Sequence, residues 1–400
     1  MNLFLQELRK IWRPGILAAL VVLGAVYYYI RPAFYIEYFN NGSQEQTDFD
    51  LAFSWVERYG PTIEQSEREE IGRQLAEEEA RFADYAESNP EMAERGITDF
   101  DSFEAFRDVS YADDALYQAA KERGDIALGH HVLYSGETNY FTILELRRFL
   151  EAWDGEGLPV PEEGSFAESP RLDKLCRERV RAMRADREGR SVLPPHVEFS
   201  TSTYAEYLAI WCVVSAILLL SPTLVRDRLH RTRPAQWASR RGRRILDLQF
   251  AAALVSGLLL TLINIAIYMV PFASTGALAF WHCSLHTVLR SYPWFDWTYG
   301  QYLLALAGLI LALCLGASGL TAVLSQYSGN YVAMLLKAIP LIVVLTVLSA
   351  LVMLPAFYFS NYITRFLLLP GGEILCAALL AVLGLALTAL ACRRQRRREC

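Results

Sequence analysis

Arginine residues are concentrated in one stretch of the sequence, residues 226–247. Eight arginines fall there, in two clusters separated by residues 234–239, Pro-Ala-Gln-Trp-Ala-Ser. Guanidinium groups bind phosphate and carboxylate groups, so the stretch is suited to anionic lipid or to a partner protein. Attraction to anionic lipid alone would contribute ~1 kcal/mol of binding free energy for each basic residue near the membrane surface. The central break favours a short helix, parallel to a membrane, that docks a cytoplasmic partner.

Four of the six histidines fall in pairs that could bind a metal. His130 and His131 are adjacent, so on a helix they would point about 100° apart. His282 and His286 are spaced to share a helix face, but no third ligand accompanies them. We predict structural roles for both pairs and no metal site.

Catalytic and nucleotide-binding motifs are absent from the sequence. It contains no G-x-x-x-x-G-K-[ST], no G-x-S-x-G and no H-E-x-x-H. The acidic runs at 67–70 and 77–79 are typical of a solvated helix face. We therefore predict no catalytic residue and no cofactor. No ionisable residue lies at the middle of an apolar run, which argues against an ion-coupled carrier.

Seven cysteines are scattered without C-x-x-C or metal-ligand spacing. Cys176 and Cys283 are the two expected outside the cell, where a disulfide between them is one interpretation. Two isolated, small apolar side chains are the other interpretation. The spacing does not decide between them.

Six apolar runs have the composition of transmembrane helices. They predict an all-α polytopic membrane protein, with six transmembrane helices and a mainly helical extracytoplasmic domain inserted between helices 1 and 2. The first run ends in Tyr27, Tyr28 and Tyr29, which is typical of an aromatic belt at a membrane interface. A cleaved signal peptide would end in small residues instead. The predicted spans are residues 15–30, 204–225, 246–270, 301–325, 331–358 and 373–392.

Residues 1–14 have the pattern of an amphipathic helix. Phe4, Leu8, Ile11 and Trp12 share one face, and polar residues occupy the other. This pattern predicts an interfacial elbow helix that leads into the first span on the cytoplasmic side.

Residues 31–203 are the predicted extracytoplasmic domain. They carry 19 basic and 37 acidic side chains, a net charge of −18, whereas the rest of the chain has a net charge of +12. This asymmetry is typical of an acidic aqueous domain joined to a basic-edged membrane domain. Apolar periodicity and capping residues predict five helices in it. They are expected over 62–87, from Thr98 through Phe106, and over 111–123, 142–153 and 170–187.

Three details are predicted for the membrane domain, residues 204–392. Pro271 is expected to end the third span, and residues 276–290 to form a half-helix that dips into the bilayer. Ala312, Gly316 and Gly319 place small side chains on one face of the fourth span. Such a surface lets another helix approach closely.

Basic residues predict the orientation of the chain. Sixteen Lys and Arg residues lie in segments 1–14, 226–247 and 393–400, against two in the short segments on the opposite side. Basic short loops stay in the cytoplasm. We therefore expect a multi-pass protein of the cell membrane with both termini cytoplasmic, residues 393–400 as a basic cytoplasmic tail, and residues 31–203 extracytoplasmic.

This order of elements resembles an ABC-2 type transporter permease. The likeness rests on the interfacial first helix, the six spans, the large outer domain between spans 1 and 2, and the charged inner loop between spans 2 and 3. The inner loop contains Ser-Arg-Arg-Gly-Arg at 239–243, similar to the Ser-basic-basic-Gly-Arg stretch of bacterial permeases. The Glu-rich start that is usual in such loops is replaced here by Arg226, Asp227 and Arg228.

The resemblance implies roles that composition alone does not show. The loop 226–247 would be the coupling loop that contacts a separate ATPase subunit, and a second permease subunit, identical or not, would complete a dimer in the lipid bilayer. ATP hydrolysis would lie on the partner, and no nucleic-acid partner is expected. The implied contact residues are Trp237, Arg240, Arg241, Gly242 and Arg243.

The sequence thus predicts the permease subunit of an ATP-driven exporter. A membrane receptor or sensor subunit that binds an extracellular ligand through residues 31–203 is the alternative from another class. A membrane-embedded hydrolase ranks last, because the spans lack paired polar residues. The transported substrate does not follow from the sequence.

Overall fold

A computed structural model describes residues 3–154, 164, 169–185, 190–230, 245–286 and 292–397. Within these ranges the chain is helical, and β-structure is limited to isolated bridges. The helices form a long apolar bundle and a domain of shorter helices packed on one end of it. We call that end of the bundle the domain end and the opposite one the loop end.

The first two described helices meet at a bend. Helix α1 (Leu3–Ile11) and helix α2 (Pro14–Ile30) are bent by 46°. Pro14 has no N–H to donate, so it starts a new helix instead of continuing the first. Together the two helices would form one broken span, whereas α2 alone has 17 residues.

Nine helices of the described residues form the domain between α2 and the bundle. Their apolar side chains make two cores. Phe82, Phe103 and Tyr140 lie at the centre of one core, while Trp55 and Phe149 belong to a second core that continues into the bundle. The nine helices are α3 (Pro32–Glu37), α4 (Ser43–Tyr59), α5 (Gln65–Ser88), α6 (Pro90–Glu94), α7 (Phe100–Tyr111), α8 (Asp114–Glu122), α9 (Asp125–Tyr134), α10 (Tyr140–Trp153) and α11 (Pro170–Ala185).

The predicted domain helices are present, but their starts differ. Glu64 rather than Thr62 precedes α5, and its N–H donates to the Glu67 carboxylate at 2.6 Å. Asp99 rather than Thr98 caps α7. In each case a carboxylate reaches the free N–H groups of the first turn.

The helix predicted over 111–123 is present, but it starts later, at Asp114. Tyr111 ends α7, and Asp113 starts α8 by accepting a hydrogen bond from the Leu116 N–H at 2.8 Å. Gly124, at φ 80°, ends α8 as predicted, because glycine adopts the left-handed conformation without strain. The sequence pattern did not predict α3, α4, α6 or α9.

Among the described residues, five helices are long and apolar enough to cross a membrane, or six if α1 and α2 form one bent span. This confirms the coarse prediction of an all-α polytopic membrane protein. The bundle helices are α12 (Pro195–Leu220) with its extension α13 (Thr223–Leu229), α14 (Ile245–Ala273), α15 (Tyr299–Gln326), α16 (Tyr331–Met353), the short α17 (Tyr362–Leu367) and α18 (Gly372–Arg397).

Helix α12 is the central helix of the bundle. It packs against α14, α15 and α16, and it is the most buried of the candidate spans. Gly24 of α2 lies against Trp211 of α12, whose indole stacks on Tyr27 at 5.6 Å between ring centroids. Helix α2 is thereby fixed to the centre of the bundle.

The predicted small-residue surface is confirmed. Gly316 and Gly319 of α15 face Gly384 of α18, and a Cβ built on Gly319 would lie 2.7 Å from backbone atoms of Gly384. Only glycines allow two helix backbones to approach so closely. Helices α15 and α18 are consequently the most tightly packed pair of the bundle.

Three predictions about the bundle are wrong in detail. Pro271 lies inside α14, which continues to Ala273, because a proline near a helix end removes only one hydrogen bond. In place of a half-helix over 276–290, the described residues show a 3-10 helix at Ala277–His282. The fifth apolar helix ends at Met353 rather than at 358.

Helix α1 packs on the bundle through its predicted apolar face. Phe4 and Leu8 contact the cluster that contains Phe250 of α14. The Trp12 indole N–H donates to the Ser256 hydroxyl of α14 at 3.1 Å. The apolar stripe of α1 therefore faces protein as well as any surrounding lipid.

Candidate functional site

The arginine-rich stretch leaves the bundle between α13 and α14 at the loop end. The predicted contact residues Trp237, Arg240, Arg241, Gly242 and Arg243 lie outside the described residues. Residues on both sides of them are described. These flanking residues, which we call the loop base, are held by a network of charged and polar side chains.

Arg226 links the loop base to helix α1. Its side chain is largely buried, and its guanidinium donates to the backbone carbonyl of Lys10 at 2.8 Å. Lys10 lies in the last turn of α1, just before the bend to α2. The connection therefore joins the start of the loop to the first bent helix pair.

Asp227 is the acidic centre of the same network. Its carboxylate accepts a hydrogen bond from the Gln249 amide of α14 at 2.9 Å and lies 3.8 Å from the Lys10 ammonium. Lys10 in turn donates to the buried Glu7 carboxylate at 2.6 Å. A buried charge is tolerated when it is paired and hydrogen-bonded in this way.

Arg228 links the loop base to the turn between α15 and α16. Its guanidinium donates to the carbonyl oxygen of Ser328 at 2.8 Å and to that of Gln326. Lys337 of α16 caps the same turn by donating to the Tyr327 carbonyl at 3.1 Å. The predicted inner turn at 326–330 is therefore tied directly to the arginine-rich stretch.

The other side of the loop base is tied to the last helix. Asp247, in the first turn of α14, forms an ion pair with Arg396 in the last turn of α18. The predicted basic tail is thus helical as far as Arg397 within the described residues. The two sides of the loop base together contact α1, the α15–α16 turn and α18.

The arginines of this region were recognisable from the sequence, whereas the residues that pair with them were not. Asp227 and Gln249 are buried here, and one sequence does not reveal which polar residues of a span end turn inward. A signal was present in the Arg-Asp-Arg start of the loop, where a carboxylate interrupts a basic run. Chemically, the arrangement ties the described residues on both sides of the cationic segment to several helices at once.

The histidine pairs do not form a metal centre in the described part of the chain. No three His, Cys, Asp or Glu side chains converge there as metal ligands do. His131 lies 3.2 Å from the Glu137 carboxylate, and the His130 ring packs 5.6 Å from that of Tyr134. His282 is the last residue of the 3-10 helix Ala277–His282, in a different part of the chain from His130 and His131.

The two cysteines considered for a disulfide are free thiols. Cys176 packs with Trp294 and Phe359, whereas Cys283 belongs to the main core beside Tyr299. Their placement in separate clusters favours the interpretation of isolated apolar side chains.

A second candidate site lies where the domain meets α12. A cleft of about 420 Å³ there is lined by residues of α4, α10 and α12. The His196 ring is 3.6 Å from the Asp48 carboxylate and 3.0 Å from the Asn40 side-chain oxygen. Glu145 accepts from Gln44 at 2.7 Å, and its burial, reinforced by the charge of Asp48, raises its pKa.

Comparison of the chain with protein-family models, with characterised proteins and with solved structures found no match.

Proposed function

We propose that this chain is the membrane subunit of an ATP-driven exporter and that the arginine loop docks a separate ATPase subunit. The observation that carries the proposal is the loop base. Arg226, Asp227 and Arg228 fasten one side of the loop to α1, α14 and the α15–α16 turn. A loop that served only to orient the chain would need its charges but no such attachment.

In this proposal the loop end is cytoplasmic and the acidic domain lies outside the cell. Helices α1 and α2 count as one bent crossing, which makes six spans. A push on the loop by an ATPase would reach four helical elements at once through charged hydrogen bonds. These are the stronger kind of hydrogen bond, so the elements would move as one body. Substrate would then pass between two such membrane subunits.

A second membrane subunit fits the distribution of apolar surface. Of the five candidate spans, α16 has the smallest fraction of its residues buried inside the protein. Val343 and Val344 are more than half exposed on it. In a dimer part of this surface would face a second subunit, identical or related, and the rest would face lipid.

The receptor alternative draws support from the cleft beside His196. That cleft opens next to the first turn of α12, so a ligand bound there would touch the central helix directly. Co-purification separates the two functions. An ATPase that co-purifies with the chain supports the exporter, whereas a signalling protein in its place, with no ATPase, supports the receptor.

Charge reversal in the loop tests the proposed docking. We expect Arg240→Glu combined with Arg241→Glu to reduce ATPase capture at least tenfold in a pull-down from detergent, because two attractive charges become repulsive. Arg393→Glu combined with Arg394→Glu is the matched control, since both are adjacent, exposed arginines of α18. Capture should survive in this control.

Two results would contradict the proposal. Full capture by the loop variant would reduce the loop to an orientation signal. Protection of residues 31–203 from protease added outside intact cells would reverse the proposed orientation.

A further inference from the structure

Four oxygen-bearing side chains meet inside the bundle near the domain end. They come from the first turns of α12, α15 and α18 and from the segment between α16 and α17. None is more than 7% exposed. The four are Glu198, Tyr302, Tyr358 and Glu373, and we call them the oxygen cluster.

Glu373 is the charged residue of the oxygen cluster with the clearest unsatisfied oxygen. It is fully buried, and one carboxylate oxygen, Oε1, accepts the Phe357 N–H at 2.8 Å. The other, Oε2, is buried without a hydrogen-bond partner among the described residues. No described Lys or Arg forms an ion pair with it either. A native protein rarely leaves a carboxylate oxygen in this state unless an ion or water satisfies it.

The two tyrosines complete the polar surroundings. The Tyr302 and Tyr358 rings pack edge-on with their centroids 5.8 Å apart, and both hydroxyls are buried without a hydrogen-bond partner among the described residues. Tyr302 lies within electrostatic reach of both Glu198 and Glu373. Two carboxylates and two hydroxyls thus approach one region from four chain segments.

The backbone near the oxygen cluster is strained to reach Glu373. Phe357 adopts a left-handed φ of 69°, which is unusual for a bulky residue. Its N–H binds Glu373, and its carbonyl accepts from the Trp294 N–H at 2.8 Å. Strain of this kind persists where surrounding structure holds it, and it is common at ligand sites.

The negative charge of Glu373 is under-compensated by the contacts of its carboxylate. Glu373 sits in the first turn of α18, where the helix dipole favours an anion. The cost of burying a carboxylate is several times larger than that benefit. A positive ion within reach of the carboxylates would supply the difference.

We propose that the oxygen cluster binds a small, hard metal cation, with Glu198 and Glu373 as charged ligands and Tyr302 and Tyr358 as neutral ones. Hard cations such as sodium and calcium prefer oxygen ligands of this type. The site is independent of the proposed transport function. Its role would be to hold the first turns of α12, α15 and α18 together at the domain end.

The test is the thermal unfolding midpoint of the full chain in detergent. The protein is first treated with a chelator and kept in choline chloride, and sodium or calcium chloride then replaces choline at constant ionic strength. A cation that binds only the folded state raises the midpoint as its concentration rises. We expect a rise of roughly 2–4 °C or more with one of the two ions.

Variants locate the effect. Glu373→Gln retains an oxygen for the Phe357 N–H but removes the charge, so it should abolish the cation response. Glu206→Gln is the matched control, because Glu206 is another buried carboxylate of α12, outside the oxygen cluster. The control should keep the wild-type response.

Three outcomes would overturn the proposal. Equal midpoints in sodium, calcium and choline would exclude a bound cation. A cation response that survives Glu373→Gln would place the ion elsewhere. A midpoint that depends on pH through Glu373 but on neither cation would show that a proton neutralises the site.

Discussion

Gly316 and Gly384 bring the backbones of α15 and α18 into direct contact: a Cβ built on Gly384 would lie 2.6 Å from the carbonyl oxygen of Gly316. No side chain can be added there without moving a helix. We predict that Gly384→Ala lowers the free energy of unfolding by about 1–3 kcal/mol, the usual cost of overpacking. Thermal unfolding in detergent would measure it.

The matched control for this prediction is Gly308→Ala. Gly308 belongs to the same helix α15, but a Cβ there would meet nothing within 4 Å. Alanine has the higher helix propensity, so this variant should be neutral or slightly stabilising. Equal effects of both substitutions would show that backbone contact does not set the α15–α18 distance.

Arg228 should contribute measurably to the stability of the loop end. Its guanidinium donates to two main-chain carbonyls of the α15–α16 turn. Arg228→Ala leaves those carbonyls without their charged donor, and we predict a loss of about 2 kcal/mol in the free energy of unfolding. Arg394→Ala, at an exposed arginine of α18, is the control and should change it little. The prediction is wrong if the two variants unfold alike.

Asp125 should make the domain sensitive to acid. Burial opposes its ionisation, but the Arg95 and Arg123 guanidinium groups, at 2.8 and 2.9 Å, outweigh burial and hold its pKa below the ordinary 3.8. The unfolded chain therefore binds the proton more readily. The stabilisation is complete above the ordinary pKa and is lost as pH falls through the folded value.

Asp125→Asn tests this dependence. We expect the variant to be about 1–3 kcal/mol less stable than the wild type at pH 7. The difference should shrink below pH 3.8, as measured by denaturant unfolding of the full chain at several pH values. Asp114→Asn, at an exposed aspartate of the neighbouring α8, should show neither effect. A difference that stays constant with pH would argue against an ionised Asp125.

Cys176 and Cys283 should be unreactive thiols in the folded protein. Burial raises the pKa of Cys176 to about 12 and that of Cys283 to about 11, so almost no thiolate forms at neutral pH. Alkylation followed by mass spectrometry should label them only after denaturation. If the intact protein instead had a mass lower by two hydrogen atoms, and a reductant restored the full mass, the two cysteines would form a disulfide, which the structure does not contain.

The spans could be predicted from sequence because about 20 apolar residues have few other stable environments. Their starts were less predictable. Helix α12 begins at Pro195, nine residues before the apolar run, because Thr201 and its polar neighbours are buried among other helices. The Thr201 hydroxyl, for instance, hydrogen-bonds that of Tyr299 at 2.6 Å. From the sequence pattern alone, such polar residues are predicted to face water.

The candidate sites were less predictable than the spans for the same reason. The arginines between α13 and α14 were visible as a composition anomaly. Asp227 and Glu373, in contrast, are single charged residues at span ends, where most such residues face water or headgroups. Only packing shows that they turn inward. The capping pair Thr298 and Gln301, which starts α15, carried a recognisable sequence signal that the analysis overlooked.

The central helix has a mechanical consequence. Pro195–Leu229, which is α12 together with its extension α13, is a 35-residue span, about 50 Å long at ~1.5 Å per residue, and it exceeds the ~30 Å hydrocarbon layer. His196 sits at one tip and Arg228 at the other. If this span tilts about its middle, a displacement of one end moves the other end by a similar distance in the opposite direction, and no side chain has to transmit the movement.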